Sequence, residues 1–202
     1  MASTVRLDSV VAGGTMSDAP QMVRTDKTMP AERLQQMLAE AYSGRLATAG
    51  PDGWPYIVPL LFVWANGEIW VHNTAARGHF RGNVEHDPRV CFEIDEPGEV
   101  FAYGRFECDT SVAYRSVVLF GRLRIVDDPA QKALFFDRLM GKYGDPAWVR
   151  PPGFYPRLDQ VTVYAMTVER MTGKETLLPT AQNRWPATDQ TKSPTALAPS
   201  RE

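Results

Sequence analysis

The dipeptide Asn66-Gly67 is the feature that most constrains how this chain can fold. It separates two β-rich runs, Tyr56 to Trp64 and Glu68 to His72, and the turn sequence Pro51-Asp52-Gly53 precedes both of them. Asn-Gly between two such runs is typical of a two-residue β-hairpin, because both residues readily adopt the positive φ that the turn requires. The stretch from Trp54 to Asp95 is therefore predicted to begin as a β-meander.

The rest of the chain carries further strand patterns. Strands are predicted over residues 45–49, 89–94, 111–126 and 161–168, with a bulge or a close backbone approach at Gly121. Glu96-Pro97-Gly98 is expected to break the sheet, and residues 100–108 are expected to be irregular or weakly extended. About six mostly antiparallel strands with two longer helices predict a mainly β, α+β domain, a Greek-key-like β-barrel with its helices packed outside.

Helical spacing marks three segments. The first helix is predicted to begin at a Thr28 cap with Pro30 in its first turn, and to bury Leu34, Met37, Leu38 and Ala41. A short helix is predicted from Phe80 to His86. The third follows Asp127-Asp128-Pro129, and its predicted apolar face consists of Ala133, Leu134, Phe136, Leu139 and Met140.

Length and composition favour one domain with two tails. Of 202 residues, 44% are hydrophobic, which is enough for a substantial core. Residues 1–27 are interpreted as a disordered arm, 28–179 as the folded domain, and 180–202 as a disordered tail rich in Pro, Ser, Thr and Gln. The net charge of −2 provides no global basic field for nucleic acid.

The sequence also bears on compartment and metals. No apolar run approaches the roughly 18 residues of a membrane helix, and no signal peptide pattern precedes the domain. Cys91 and Cys108 lie in strand patterns that fit buried free thiols in a reducing cytoplasm, with a single disulfide as the alternative. The three His and two Cys residues lack the close spacing of a structural zinc site, so none is predicted.

The segment from His72 to Asn83 carries hydroxyl, amide, imidazole and guanidinium groups within twelve residues. Arginine forks, neutral donors and the backbone N–H groups at a helix start are the groups that bind a phosphate. An ordinary solvated, basic helix start explains the same residues equally well. The chemistry alone leaves both interpretations open.

Several motifs resemble the pyridoxamine 5′-phosphate oxidase-like flavoproteins, and most closely the branch that includes nitroimidazole-resistance proteins. The resemblance covers roughly residues 28–179, and it rests on the following segments: Arg45-Leu46-Ala47-Thr48, Pro55 to Trp64, Ile69-Trp70-Val71-His72-Asn73, Gly78-His79, Asp87 to Glu93, and Ser116-Val117-Val118 with Phe120-Gly121-Arg122. It implies a split β-barrel homodimer that binds FMN at the dimer interface.

The resemblance also implies a set of cofactor-binding residues. The FMN phosphate would be held by Asn73, Thr74, Arg77, His79 and Arg81, and Gly78 is a further cofactor-binding residue. Backbone contacts to the flavin ring would come from Val58, Pro59 and Leu60, and further predicted contacts are His72, Ser116 and Val117. His72 lies at the end of a predicted strand, where a purely structural role is the alternative. That branch usually carries a Lys two residues after the glycine, where this chain has Phe80, so Arg77 or Arg81 is expected to supply the charge.

The first functional hypothesis is an FMN-dependent oxidoreductase that passes electrons from NADH or NADPH to a small acceptor. The cofactor carries such chemistry, and the protein contributes anchoring and access. The alternative is a non-catalytic protein that holds FMN, haem or another flavin-like group for storage or sensing. A deazaflavin-dependent reductase is a third hypothesis, since related barrels resemble each other more than their cofactors do.

Overall fold

The structure is a computed structural model, and it describes residues 20–104, 106–148, 151 and 153–180. Within this part of the chain there are seven strands: β1 Gly44–Ala49, β2 Pro55–Leu60, β3 Val63–Ala65, β4 Glu68–Thr74, β5 Arg89–Ala102, β6 Thr110–Val126 and β7 Val161–Thr176. The α-helices are α1 Ala31–Glu40, α2 His79–His86 and α3 Pro129–Tyr143, with single 3-10 turns at Thr25–Lys27 and Leu158–Gln160. Most of the predicted arm and nearly all of the predicted tail lie outside the described residues.

The strands form one antiparallel sheet in the order β2-β1-β5-β6-β7-β4-β3. The mainly β architecture with flanking helices is confirmed, and β2 and β3 are the two unpaired edges of a sheet that does not close. The Asn66-Gly67 turn is confirmed, with φ of 55° and 79° and the pair Ala65↔Glu68 at its base.

The predicted meander is wrong in one respect, because residues 56–64 form two strands rather than one run. β2 pairs with β1, whereas β3 pairs with β4 at the opposite edge. The chain crosses between the edges at Leu61 and Phe62, and the Phe62 ring is fully buried in the core. Burial of this ring and the crossing it requires are tertiary effects that strand periodicity does not reveal.

Pro97 and Gly98 do not break the sheet, contrary to the prediction. β5 continues to Ala102, with a register shift between Pro97 and Val100. β1 pairs with β5 no further than Glu93, so Pro97 lies where one side of β5 has no neighbouring strand in the described structure. Proline is tolerated at such an edge because no ladder hydrogen bond needs its missing N–H. The irregularity predicted at Gly121 is confirmed by a register shift between Phe120 and Gly121.

The first residues of the helices and the side chains that they bury differ slightly from the prediction. α1 starts at Ala31 with Pro30 at its N-cap, whereas Thr28 forms a β-bridge with Lys174 instead of a cap. In α3, the predicted cap is confirmed by Asp128 accepting a hydrogen bond from the Ala130 N–H at 2.9 Å. Its fully buried residues are Phe135 and Leu139, while Leu134 is 50% exposed.

Two hydrophobic clusters lie on opposite faces of the sheet. The larger cluster fills the inner face, where α1 contributes Leu34 and Leu38 and α2 contributes Phe80. The smaller cluster lies on the outer face between α3 and strands β3, β4 and β7, and includes Phe135 and Val163. α3 therefore covers only one end of the outer face.

The other end of the outer face carries an apolar row across β2, β1, β5 and β6. The register places in this row Ile57, Ala47, Cys91 and Phe120. None of the four belongs to either hydrophobic cluster, and Ile57 is 60% exposed. We call these four residues the outer row.

Candidate functional site

The N-terminus of α2 is the centre of the candidate site. Gly78 occupies the N-cap position in an extended conformation, and no side chain caps the helix. The first turn of any helix leaves backbone N–H groups without intrahelical partners. A Cβ placed on Gly78 or Gly82 would meet no atom within 4 Å, so the space beside both residues is open. Uncapped donors with open space beside them can accept an anion.

Arg77 and Arg81 flank this helix start and converge on the same carboxylate. The Nε atoms of Arg77 and Arg81 donate to Glu85 at 2.9 and 2.8 Å. Hydrogen bonds first from Arg81 and then from Arg77 lower the pKa of Glu85. Arg81 also donates to the Ala75 carbonyl at 3.3 Å, which ties it to the segment before the helix. Two cations and one anion leave this group with a net positive charge.

The end of β4 supplies the neutral polar groups of the same region. The Thr74 N–H donates to Asn73 Oδ1 at 2.7 Å, and Thr74 is exposed. The following residue, Ala75, donates its N–H to the Gln160 carbonyl at 3.0 Å. These bonds hold the segment between β4 and α2 against the loop that precedes β7.

Two contacts hold β2, the predicted ring-binding strand, and its neighbour β1 against the same helix. The rings of Tyr56 in β2 and His79 at the start of α2 lie 5.9 Å apart. The buried Asn83 side chain donates to Thr48 Oγ1 at 3.1 Å, which anchors α2 on β1. β2 is an edge strand, so part of its backbone from Val58 to Leu60 has no strand partner. The structure thus brings β2 and the helix start together.

His72 lies apart from this group. Its ring packs against Phe135 and Phe136 of α3, with centroid separations of 5.7 and 5.3 Å. Burial lowers the pKa of His72, and its buried Nδ1 has no hydrogen-bond partner in the described structure. The structure therefore places His72 on the outer face among aromatic side chains.

Ser116 and Val117 lie in the middle of β6. Ser116 is opposite Asp95 and Lys174 in the register, and the Val117 side chain is fully buried in the larger cluster. They are thus held by the neighbouring strands β5 and β7.

Sequence reasoning missed Glu85 and Tyr56 as members of the candidate site. Glu85 lies four residues after Arg81, and this spacing on a helix signals an ion pair. Tyr56 had no comparable signal, because its approach to His79 depends on how β2 packs. Phe80 stands where the related branch usually carries a Lys. The structure buries its side chain against Tyr164, so this position belongs to the core and cannot supply a charge to the site.

The described residues also bear on metal binding and membrane insertion. No group of three or more His, Cys, Asp or Glu side chains in this part of the chain is arranged to hold a metal ion. No helix among the described residues is long and apolar enough to cross a membrane.

Comparison with known protein families identifies the chain. Residues 30–175, well over half of the sequence, match the family model described as pyridoxamine 5′-phosphate oxidase. The chain belongs to the pyridoxamine 5′-phosphate oxidase family. Members of this family fold as split β-barrels, which agrees with the sheet described above. No curated protein matches the chain.

Several solved structures share this fold. A candidate 5-nitroimidazole antibiotic resistance protein from Bacteroides thetaiotaomicron is similar at 21% identity and a TM-score of 0.60, over 72% of this chain and 83% of that one. A FAD- and haem-binding protein from Mycobacterium smegmatis is similar at 22% identity and a TM-score of 0.60, over 74% and 73%. The flavocytochrome Anf3 from Azotobacter vinelandii is similar at 19% identity and a TM-score of 0.62, over 86% and 87%.

Proposed function

We propose that this member of the pyridoxamine 5′-phosphate oxidase family binds FMN as a homodimer and passes electrons from NADH or NADPH to a small acceptor. The observation that carries the proposal is the uncapped start of α2, flanked by Arg77 and Arg81. Solved structures of the same fold include a FAD- and haem-binding protein and a flavocytochrome, which supports a flavin as the ligand.

The residues at the helix start fit a phosphate group. Arg77 and Arg81 offer planar guanidinium groups, and Thr74 and the first-turn N–H groups offer neutral donors. The positive end of the helix dipole adds to this attraction. Glu85 already binds both arginines, so it would hold the two guanidinium groups in place while they bind the phosphate.

The flavin ring is assigned to the edge of β2. An edge strand presents backbone N–H and C=O groups that no neighbouring strand uses. On β2 these groups lie within residues Val58 to Leu60, although Pro59 has no N–H to donate. The contact between Tyr56 and His79 places this edge next to the phosphate-binding segment, which supports one FMN molecule bound by both. Contacts from His72, Ser116 and Val117 to the cofactor remain part of the proposal.

A second copy of the chain is proposed to cover the outer row. The row leaves apolar side chains of four neighbouring strands without a covering element in the described structure. Covering such a surface is favourable, because apolar area removed from water contributes roughly 25 cal/mol per Å². Since β2 carries both Ile57 of this row and the proposed ring contacts, the cofactor would lie next to the interface.

When bound, FMN would accept hydride from the reduced nicotinamide and deliver electrons to the acceptor. The residues of this chain would anchor the phosphate, position the ring and limit the access of water. Cys91 and Cys108 are free thiols, which fits the cytoplasm as the proposed compartment. The prediction that both are buried is wrong, because Cys91 is half-buried and Cys108 is exposed.

The test is to incubate the purified protein with excess FMN, desalt it, and record its visible absorption spectrum. Retained flavin bands, followed by FMN-dependent oxidation of NADH or NADPH with an added acceptor, are the expected results. Retained flavin without turnover would favour the alternative of a storage or sensing protein. A protein that keeps no FMN but keeps haem or a deazaflavin would overturn the cofactor assignment.

A further inference from the structure

A cavity of about 280 Å³ lies on the outer face between α3 and the β3-β4 hairpin, away from the start of α2. Its wall combines apolar side chains with charged ones. Val63, Leu134 and Phe135 supply the apolar part, and Trp70 adds an indole ring. The cavity is near the lower end of the size range of small-molecule sites, which is about 300–1,000 Å³.

Two arginines line this cavity, and only one of them is neutralised. Arg124 lies 5.3 Å from the centroid of the Trp70 ring and donates to both carboxylate oxygens of Glu68 at 3.0 Å. Arg138 also lines the cavity, and no hydrogen bond or ion pair engages its guanidinium group in the described part of the chain. The charged groups of the wall therefore sum to one positive charge, which Arg138 provides.

We propose that this cavity binds a small monocarboxylate with a flat apolar body. The carboxylate would pair with Arg138, whose guanidinium fork matches carboxylate geometry. The apolar body would lie against Leu134, Phe135 and the Trp70 ring. The net charge of the wall, one positive charge, matches a monocarboxylate, whereas a phosphate dianion would leave a negative charge without a partner in the cavity. No residue of the cavity wall is among the proposed FMN contacts, so the proposal does not depend on that assignment.

The test uses benzoate as the probe and the indole N–H resonance of Trp70 in the full chain as the reporter. The resonance is assigned by its loss in Trp70→Phe, and titrations are run with and without FMN. The expected result is a saturable shift with benzoate and binding at least about tenfold weaker for its neutral analogue benzamide, the scale of one lost charge-assisted hydrogen bond.

Two variants and a control locate the site. Arg138→Gln should weaken benzoate binding about tenfold or more. Leu134→Asp, at a half-exposed position, should weaken it as well by placing a like charge beside the carboxylate. Arg122→Gln removes the same charge from a surface ion pair with Glu169 and should leave binding unchanged.

Three results would overturn the proposal. They are the absence of a saturable shift, equal binding of benzoate and benzamide, and wild-type affinity in both Arg138→Gln and Leu134→Asp. Phenyl phosphate that binds as tightly as benzoate would likewise overturn the assignment of a carboxylate.

Discussion

The hydroxyl group of Tyr143 bonds to both backbone groups of Phe62. It donates to the Phe62 carbonyl at 2.9 Å and accepts from the Phe62 N–H at 3.2 Å. Phe62 lies where the chain crosses from one edge of the sheet to the other, so neither of these groups has a strand partner in the described structure. The last turn of α3 thus supplies the hydrogen bonds that the backbone of Phe62 does not form with a neighbouring strand.

Tyr143→Phe is expected to lower the free energy of unfolding by about 1–3 kcal/mol, the cost of leaving partly buried backbone groups without partners. Urea unfolding followed by circular dichroism measures the change. Tyr42→Phe is the matched control, because Tyr42 is 75% exposed and its ring contact with Tyr143 does not need the hydroxyl. Equal stability of Tyr143→Phe and the wild type would contradict the inferred role.

Gly121→Ala is expected to destabilise the fold by about 1–3 kcal/mol, the usual cost of overpacking. A Cβ at this position would collide with the Thr167 backbone carbonyl, which cannot move without disturbing β7. Gly141→Ala offers the contrasting control, because a Cβ there meets no atom within 4 Å in the exposed part of α3. That change should stabilise the protein by about 0.5–1 kcal/mol through helix propensity. Thermal and urea unfolding measure both changes in stability, which should have opposite signs.

Burial of His72 predicts a loss of stability in mild acid. Its pKa in the folded protein is below the usual value near 6.5, so the unfolded chain binds more protons as pH falls. The stabilising contribution is complete above pH 6.5 and is lost as pH falls below that value. Urea midpoints measured from pH 7.5 down to 5.5 should therefore decrease, a window of about two pH units around the ordinary histidine pKa.

His72→Phe should reduce this pH dependence, since phenylalanine keeps an aromatic ring against Phe135 but does not titrate. His86→Gln is the matched control, because it removes an exposed histidine and leaves His72 in place. An identical profile in His72→Phe and the wild type would show that His72 is not the responsible group.

The phosphate-binding proposal predicts that Arg77→Ala and Arg81→Ala each weaken FMN binding about tenfold or more, as expected when a charge-assisted hydrogen bond is lost. Arg24→Ala is the matched control, since Arg24 is also an exposed arginine in an ion pair, with Asp26. Flavin fluorescence quenching gives the dissociation constants. Unchanged affinity in both site variants would remove the start of α2 from the proposal.

The proposed interface predicts that Ile57→Asp yields a monomer. Ile57 is 60% exposed and lies in the outer row, where a carboxylate facing a second copy would be desolvated without a partner. Size-exclusion chromatography with light scattering measures the mass. Val23→Asp, at an 88% exposed position outside the row, should leave the mass unchanged. A wild-type chain that is monomeric with FMN bound would refute the dimer.

Local signals in the sequence were sufficient for several elements. The Asn66-Gly67 hairpin and the Asp128 cap of α3 depend on φ and on a side-chain hydrogen bond, which are properties of neighbouring residues. The irregularity at Gly121 could be predicted because a glycine within a strand marks a close backbone approach, but its partner, Thr167 on β7, could not. Prolines were less informative. Pro97 was expected to break the sheet, but it is accommodated where β1 no longer pairs with β5.

The sequence by itself therefore determined the mainly β class, the position of the hairpin and the basic segment before α2. Only the tertiary structure decided that β2 and β3 lie at opposite edges, that His72 faces α3, and that Glu85 joins Arg77 to Arg81. The physical reason is the distance along the sequence over which the interactions act. Turns, caps and alternation follow from interactions within a few residues, whereas the choice of edge and face depends on which buried side chains, such as Phe62 and Phe135, pack together across the whole domain.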